Sequence, residues 1–390
     1  MGLGHTRRNQ LIAQTLVASG LPIDVLLLRG MNEGHVPLPN GVDSVTLPAL
    51  RKAADGSYGS RSLGLSLDDL LKIRSQTLYA AITSYAPDVL IVDNVPLGAQ
   101  GELERTLAHL RSVGHTQCVL GLRDVLDDPA TVRTEWQRVG NQAAIRRYYD
   151  SVWVYGDQRV YDPIQEYDFA KDIATKVHFT GYFDQRVRLH YAPSATPFFQ
   201  HVPFVLCMVG GGQDGIHVAE AFVQADFAGR HGVLVTGPFM PEAARIHIET
   251  LAAMRSDVHL LPYATEPTQL LAQAERVIAM GGYNSVSEIL AFEKRALIVP
   301  RGQPRREQLI RAERLARLNL LTMLQSSELT PTALSRWLAR EVPPPQVYCQ
   351  IDLGGLDRLP ALLHTLLDRN PAIVIPQRMA QEGVCSYGTR

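Results

Sequence analysis

Along the chain, short apolar runs alternate with longer stretches in which apolar residues recur three and four apart. PIDVLLLRG, VLIVDNVPLG, QCVLGLRDV, SVWVYG and KVHFTG read as buried parallel strands. Between them, RRNQLIAQTLVASG predicts a helix over residues 10–18 that stops at Gly20. LSLDDLLKIRSQTLYAAITSYAPD and GELERTLAHLRSVG predict two more, and a long helical region runs through QAAIRRYYD. Residues 32–62 read as loop, apart from a short strand at SVTLP. The pattern lapses at YAPSATPFFQHVP and then restarts: FVLCM, HGVLV, VHLLPY, RVIAM and RALIVP are strands, each followed by a helical stretch. LDRLPALLHTLLDR is a last helix, and AIVIP (residues 372–376) is strand-like at the end of the chain.

This alternation predicts an α/β protein with two parallel-sheet domains facing each other across a cleft. The first would span residues 1–190, a linker 191–202, and the second 203–350; a helix and tail at 351–390 would return to the first domain. One stretch breaks the pattern. GLGHTRR, residues 2–8, has the composition of a loop joining a strand to a helix, and no strand-length run precedes it. A central strand missing from a sheet leaves its neighbours' backbone groups unpaired. Either the chain begins downstream of its own first strand, which is the expectation, or residues 372–376 fill the slot parallel to PIDVLLL.

A net charge of -1 offers no bulk attraction to nucleic acid, so no nucleic-acid partner is expected. Cys118, Cys207, Cys349 and Cys385 are scattered with no CxxC, which fits reduced thiols rather than a disulfide framework or a zinc site. With no signal-peptide core and no long apolar run, a cytoplasmic protein is expected, a monomer or weak dimer. LGLSLDDLLKIRSQTL supplies an ordinary amphipathic helix, the candidate for peripheral contact with the inner face of a membrane.

Three strand ends in the second half carry candidate chemistry. VLCMVGGGQDGIHVAEAF runs from a strand through Gly210, Gly211, Gly212, Gln213, Asp214 and Gly215 into a helix. Glycines permit close backbone approach and helix N-termini favour phosphate oxygens, yet the order is neither GxGxxG nor a P-loop, and a turn needed only for packing is the alternative. In VIAMGGYNSVSEIL, Gly281 and Gly282 precede Asn284, Ser285 and Glu288. Ser285 and Glu288 fit a capping box, and Glu288 equally fits a carboxylate that binds vicinal sugar hydroxyls. In PRGQPRREQLIRAERLA, Arg301, Arg305 and Arg306 precede Glu307 and Gln308, either as solvated charge or as an anion site. In the first half, Asp93, Arg123 and Asp124 stand at strand ends. His5 has the side chain best suited to act as a base at neutral pH.

These motifs resemble the GT-B glycosyltransferases, near the bacterial lipid II-forming N-acetylglucosaminyltransferase and a group of predicted bacterial relatives. The resemblance rests on GLGHTR, VDNVPLGAQGEL, GLRDV, MGGYNSVSEI and PRGQPRREQLIRA, and covers the chain from Gly2 to about Asn319. It implies a hexosyltransferase that uses a nucleoside-diphosphate sugar, a UDP-sugar first, with no bound metal or cofactor. The acceptor is not specified. The donor would meet Gly210–Gly215, where Gly212 replaces a common serine. It would also meet Leu261 and Tyr263 at the base, Glu288 at the ribose, and Gly281, Gly282, Tyr283, Asn284 and Ser285 at the diphosphate or sugar. Gln308 would lie near the sugar hydroxyls, with Arg305 and Arg306 on the donor side. The resemblance places His5 on the acceptor side as general base, with Asp93 as second candidate, and Gly4, Arg7, Arg123 and Asp124 around them. Two rivals share these features: a nucleotide-sugar hydrolase or epimerase, and a non-catalytic nucleotide-sugar-binding protein.

Overall fold

A computed structural model describes residues 3–30, 38–52, 58–192, 202–211, 214–264 and 266–368. Gly212, Gln213, most of the linker at 191–202 and the strand-like residues 372–376 lie outside the described residues.

The second half is a six-stranded, all-parallel sheet. Its order is Val258–Leu261, His231–Val235, Phe204–Met208, Arg276–Ala279, Arg295–Ile298 and Thr322–Met323. Numbered along the chain this is 3-2-1-4-5-6, the doubly wound order. Its switch point lies between Phe204–Met208 and Arg276–Ala279, and in such sheets ligands bind where the order reverses. The two glycine motifs follow these two strands.

The first half is also parallel, but its sheet is interrupted. Val89–Asp93, Gln117–Arg123, Ser151–Tyr155 and Val177–Phe179 form a four-stranded sheet, while Val25–Arg29 pairs only with Val42–Thr46. Gln117–Arg123 and Ser151–Tyr155 are buried almost throughout, whereas Val25–Arg29 and Val89–Asp93 are mostly half-buried. Among the described residues no strand joins the two sheets. A short antiparallel hairpin, Leu50–Lys52 with Tyr58–Ser60, lies in what the pattern marks as loop.

The opening stretch differs from expectation. The helix covers Leu3–Ala18, not residues 10–18, so the glycine-rich segment is its first two turns. Its stripe Leu11, Ile12 and Leu16 packs with Val119, Trp153 and Tyr155 on one face of the first sheet. The C-terminal helix Gly355–Asp368 adds Leu356, Leu359, Leu363 and Leu366 to the same cluster, which continues into Phe204, Leu206 and Val233 of the second half. One apolar core thus runs through both halves. On the other face of the first sheet, Leu78, Ile82, Leu107 and Leu110 from two helices cover Val92, Leu120 and Leu122. Among the described residues, no helix is long and apolar enough to cross a membrane.

Candidate functional site

Strand pleat decides which side chains meet between the halves. Asp93 is the register partner of Gly121, and Arg123 that of Tyr155. Residues two apart on a strand share a face, so Asp93, Gly121, Arg123 and Tyr155 all turn toward the opening helix. Gly121 is required there, since a Cβ would lie 2.1 Å from the Tyr155 hydroxyl oxygen.

The opening helix brings His5 and Arg8 to that face. His5 Nδ1 lies 2.6 Å from Asp93 Oδ2, and Arg8 Nη2 donates to both Asp93 oxygens at 2.6 and 2.8 Å. Arg8 is itself buried, its guanidinium over the rings of Tyr155 and Tyr283. Burial alone would raise the Asp93 carboxyl, but Arg8 and then His5 outweigh it and hold the group far below the usual carboxylate range. An ionised Asp93 can only accept, so in the 2.6 Å contact His5 Nδ1 is the donor, with Arg8 Nη2 3.1 Å from the same nitrogen; the tautomer protonated at Nδ1 leaves its lone pair on Nε2. The His5 side chain is 43% exposed.

A lowered folded-state value means that Asp93 contributes stability above its unfolded pKa and loses it as pH falls through the folded one. Glu266 acts in the same direction: burial would raise its carboxyl, and Arg7 and Arg188 bring it below the ordinary value. The urea midpoint is therefore expected to fall steadily below about pH 4. Asp93→Asn should lower the neutral-pH midpoint and flatten the acid slope. An unchanged slope would contradict the ion-pair assignment.

Across the junction, Asn284 Nδ2 donates to Gly4 O at 2.8 Å, which sets the start of the helix Tyr283–Ala291 against the first turn of the opening helix. That start has no side-chain cap, and a Cβ on Gly282 would meet nothing within 4 Å. The first N–H groups of this helix thus lack a side-chain cap, and the Cβ side of Gly282 is open. Gly210 and Gly237 both have positive φ, and a Cβ on Gly237 would lie 2.3 Å from Gly210 O. The Gly210–Gly211 turn therefore rests directly on the backbone at Gly237, with Phe239 N donating to Gly211 O at 2.8 Å. Facing it in the first half is a cavity of about 490 Å³ lined by Leu47, Pro48, Ala49, Arg61 and Leu63 among others. Arg61 sits over Phe239 at 5.0 Å, so the cavity rim reaches the glycine turn.

Residues 206–350 match the glycosyltransferase family 28 C-terminal domain. No curated protein matches the chain. The calicheamicin glycosyltransferase aligns with a TM-score of 0.57 at 15% identity, over 93% of this chain and 94% of its own. MurG of Acinetobacter baumannii aligns with a TM-score of 0.54 at 14% identity, over 93% and 96%. UDP-GlcNAc 2-epimerase from Neisseria meningitidis, solved with UDP-GlcNAc bound, gives 0.57 at 12% identity, over 93% and 96%. The chain has the GT-B fold.

Within this GT-B frame the expected site residues fall into two groups. His5, Asp93, Gly4, Gly281, Gly282 and Asn284 come together at the junction, and Gly210, Gly211 and Gly215 end or follow the neighbouring strand. Glu288 is buried, and its Oε1 accepts from Arg7 Nη2 and Thr268 Oγ1, each at 3.0 Å. The capping box with Ser285 is not formed. Arg7 also donates to Glu266 at 2.7 Å, so it reaches into the second half.

Other expectations are displaced by the way the halves meet. Arg305 lies near Asp127 and Glu135, and Arg306 donates its backbone N–H to Asp127 at 2.7 Å with its guanidinium toward Asp128. Both arginines thus contact the first half. Asp124 is fully buried, accepting from Arg311 Nε and Nη2, the Val125 N–H and the Tyr182 hydroxyl. Tyr283 is buried against Tyr182. Gln308 Oε1 accepts from the Arg301 backbone, and Asp214 pairs with the Arg301 guanidinium. Leu261 and Tyr263 lie at the end of the outermost strand, with Tyr263 exposed.

Arg8 and Arg311 escaped the motif reading. Each sits in line with buried apolar residues: Arg8 with Ile12 and Leu16, Arg311 with Leu315, four apart. An arginine in an apolar stripe is the signal that could have found them.

Proposed function

We propose that the protein is an inverting glycosyltransferase of the branch near the lipid II-forming N-acetylglucosaminyltransferase. It would move a hexosyl or N-acetylhexosaminyl group from a UDP-sugar to an acceptor hydroxyl. One observation carries this reading. The His5–Asp93 pair, joined at 2.6 Å, stands across the Asn284–Gly4 contact from an uncapped helix start at a doubly wound switch point. The donor diphosphate takes the free N–H groups at Gly282–Asn284 and the Gly210–Gly211 turn, where the helix dipole favours the developing negative charge. His5 Nε2 accepts the acceptor's hydroxyl proton while Asp93 steadies the imidazolium. The oxygen forms its bond to the anomeric carbon as the bond to the β-phosphate oxygen breaks, and that electron pair leaves with the nucleoside diphosphate.

The acceptor's apolar part is assigned to the 490 Å³ cavity, beside which Leu63, Leu65 and Ile73 are exposed at 49%, 39% and 39%. These three support peripheral contact with a membrane that carries an apolar acceptor. Glu288 reaches the donor ribose by exchanging its bond to Arg7.

The test is to incubate the protein with UDP-, GDP- and dTDP-sugars, with and without a panel of hydroxyl acceptors, and to follow diphosphate release. Acceptor-dependent release from one donor, with inverted configuration in the product, supports the reading. Free sugar or an epimerised donor formed without acceptor would reassign the protein to hydrolysis or epimerisation.

A further inference from the structure

Three arginines meet where the halves join, and only two have a counter-ion. Arg8 is neutralised by Asp93 at 2.6 Å and Arg311 by Asp124 at 2.7 Å. Arg123, on the same sheet face as Asp93, has no hydrogen-bond or ion-pair partner among the described residues, and its Nε is buried and unpaired. The nearby acid of the second half, Glu307, gives Oε1 to Arg301 at 3.0 Å, and its buried Oε2 makes no hydrogen bond, so Glu307 and Asp93 act on Arg123 only through their fields. The Tyr155 hydroxyl, in register with Arg123, is likewise buried without a partner.

A guanidinium cannot shed its proton at neutral pH, so Arg123, half-buried with its Nε buried and unpaired, carries a cost that an anion at its outer nitrogens would relieve. Burial, then repulsion from Arg8 and Arg311, brings Arg123 down only to about 10, so it stays charged. Such a cost is retained at functional sites where the ligand supplies the missing charge. From strand geometry, Arg123 and Asp93 have Cα atoms roughly 8 Å apart, so the missing anion lies within reach of a substrate whose hydroxyl meets His5.

We propose that Arg123 is an oxyanion receptor on the acceptor side of the cleft, and that the acceptor carries a phosphate or carboxylate close to the hydroxyl that is glycosylated. This rests on the reading of His5 as base. The donor's diphosphate belongs to the second half, at the glycine turns, where the adjacent Arg301 is already paired with Asp214 and Glu307.

The test compares wild type, Arg123→Gln and Arg123→Lys by thermal unfolding, alone and with inorganic phosphate, acetate or UDP. The ligand-free Gln variant is expected to melt roughly 1–3 °C above wild type, because a half-buried, unpaired charge is gone. Phosphate should stabilise wild type and the Lys variant but not the Gln variant, while UDP stabilises all three equally. Loss of the UDP effect in the Gln variant would assign the anion to the donor and overturn the proposal. A lower melting point in the Gln variant, or a phosphate effect that is absent from wild type or kept in the variant, would make Arg123 a packing residue and overturn it too. Failure of the glycosyl-transfer reading shows separately, as no response of wild type to UDP, GDP or dTDP.

Discussion

Replacing His5 by alanine is expected to slow glycosyl transfer by about 10²–10⁴-fold in kcat, with little change in the KM for the donor. The magnitude follows from what the side chain supplies. An alcohol oxygen attacks only as its proton leaves, and His5 Nε2 is the free lone pair that the Asp93 bond orients toward the cleft. On the proposed reading the donor is held by backbone N–H groups across the junction, so its binding would not pass through the imidazole. Asp93→Asn should lower kcat as well, since an amide can donate to Nδ1 and turn the lone pair away from the substrate. A His5→Ala variant within tenfold of wild type would remove the histidine as base.

Breaking the Asp124–Arg311 pair is expected to be the most destabilising single change in the molecule. Both side chains are fully buried, and Arg311 also donates to Gly281 O at 3.0 Å and to Val125 O at 3.3 Å. Burial would lower the Arg311 value, and Asp124 more than reverses it. Asp124→Asn leaves a buried guanidinium without its anion, and Arg311→Met leaves a buried carboxylate with only the Tyr182 hydroxyl and the Val125 N–H. Each should cost about 3–5 kcal/mol in urea unfolding. The double variant should cost clearly less than the sum, because neither charge is then stranded. The pair ties the first half to the glycine turn of the second, so the single variants should also weaken nucleotide binding. Costs below about 1 kcal/mol, or simple additivity, would contradict the role given to this pair.

Both halves were legible because strand and helix periods are local properties. Each apolar run and each amphipathic stretch of the second half became the element its spacing implies, and the glycines after VLCMV and VIAM lie where the strand order reverses. What escaped the sequence depends on how the halves dock. Arg305, Arg306 and Asp124 end strands or open helices as ligand-binding residues do, yet they pair with one another's domains. Charged residues at strand ends look alike along the chain, and only the docking decides whether a given one faces a ligand or a partner. Arg7 shows the same point, since its reach to Glu266 and Glu288 spans more than 250 positions. The opening helix was misread for a different reason: GLGHTRR has loop composition, but backbone at Leu3–Ala18 is helical throughout, and Gly4 is spent on the close approach to Asn284.

The central claim is that a nucleoside diphosphate lies against the uncapped helix start at Gly282. Thermal unfolding with UDP, GDP and dTDP, in wild type and Gly282→Leu, tests it without knowledge of the acceptor. Gly282 has ordinary extended backbone and open space at its Cβ, so the leucine should leave the ligand-free stability nearly unchanged while filling the diphosphate cradle. The account predicts that at a hundredfold excess over Kd one diphosphate stabilises wild type by about 2.7 kcal/mol and leaves the variant unaffected. No response of wild type to any of the three, or an equal response in the variant, would contradict it.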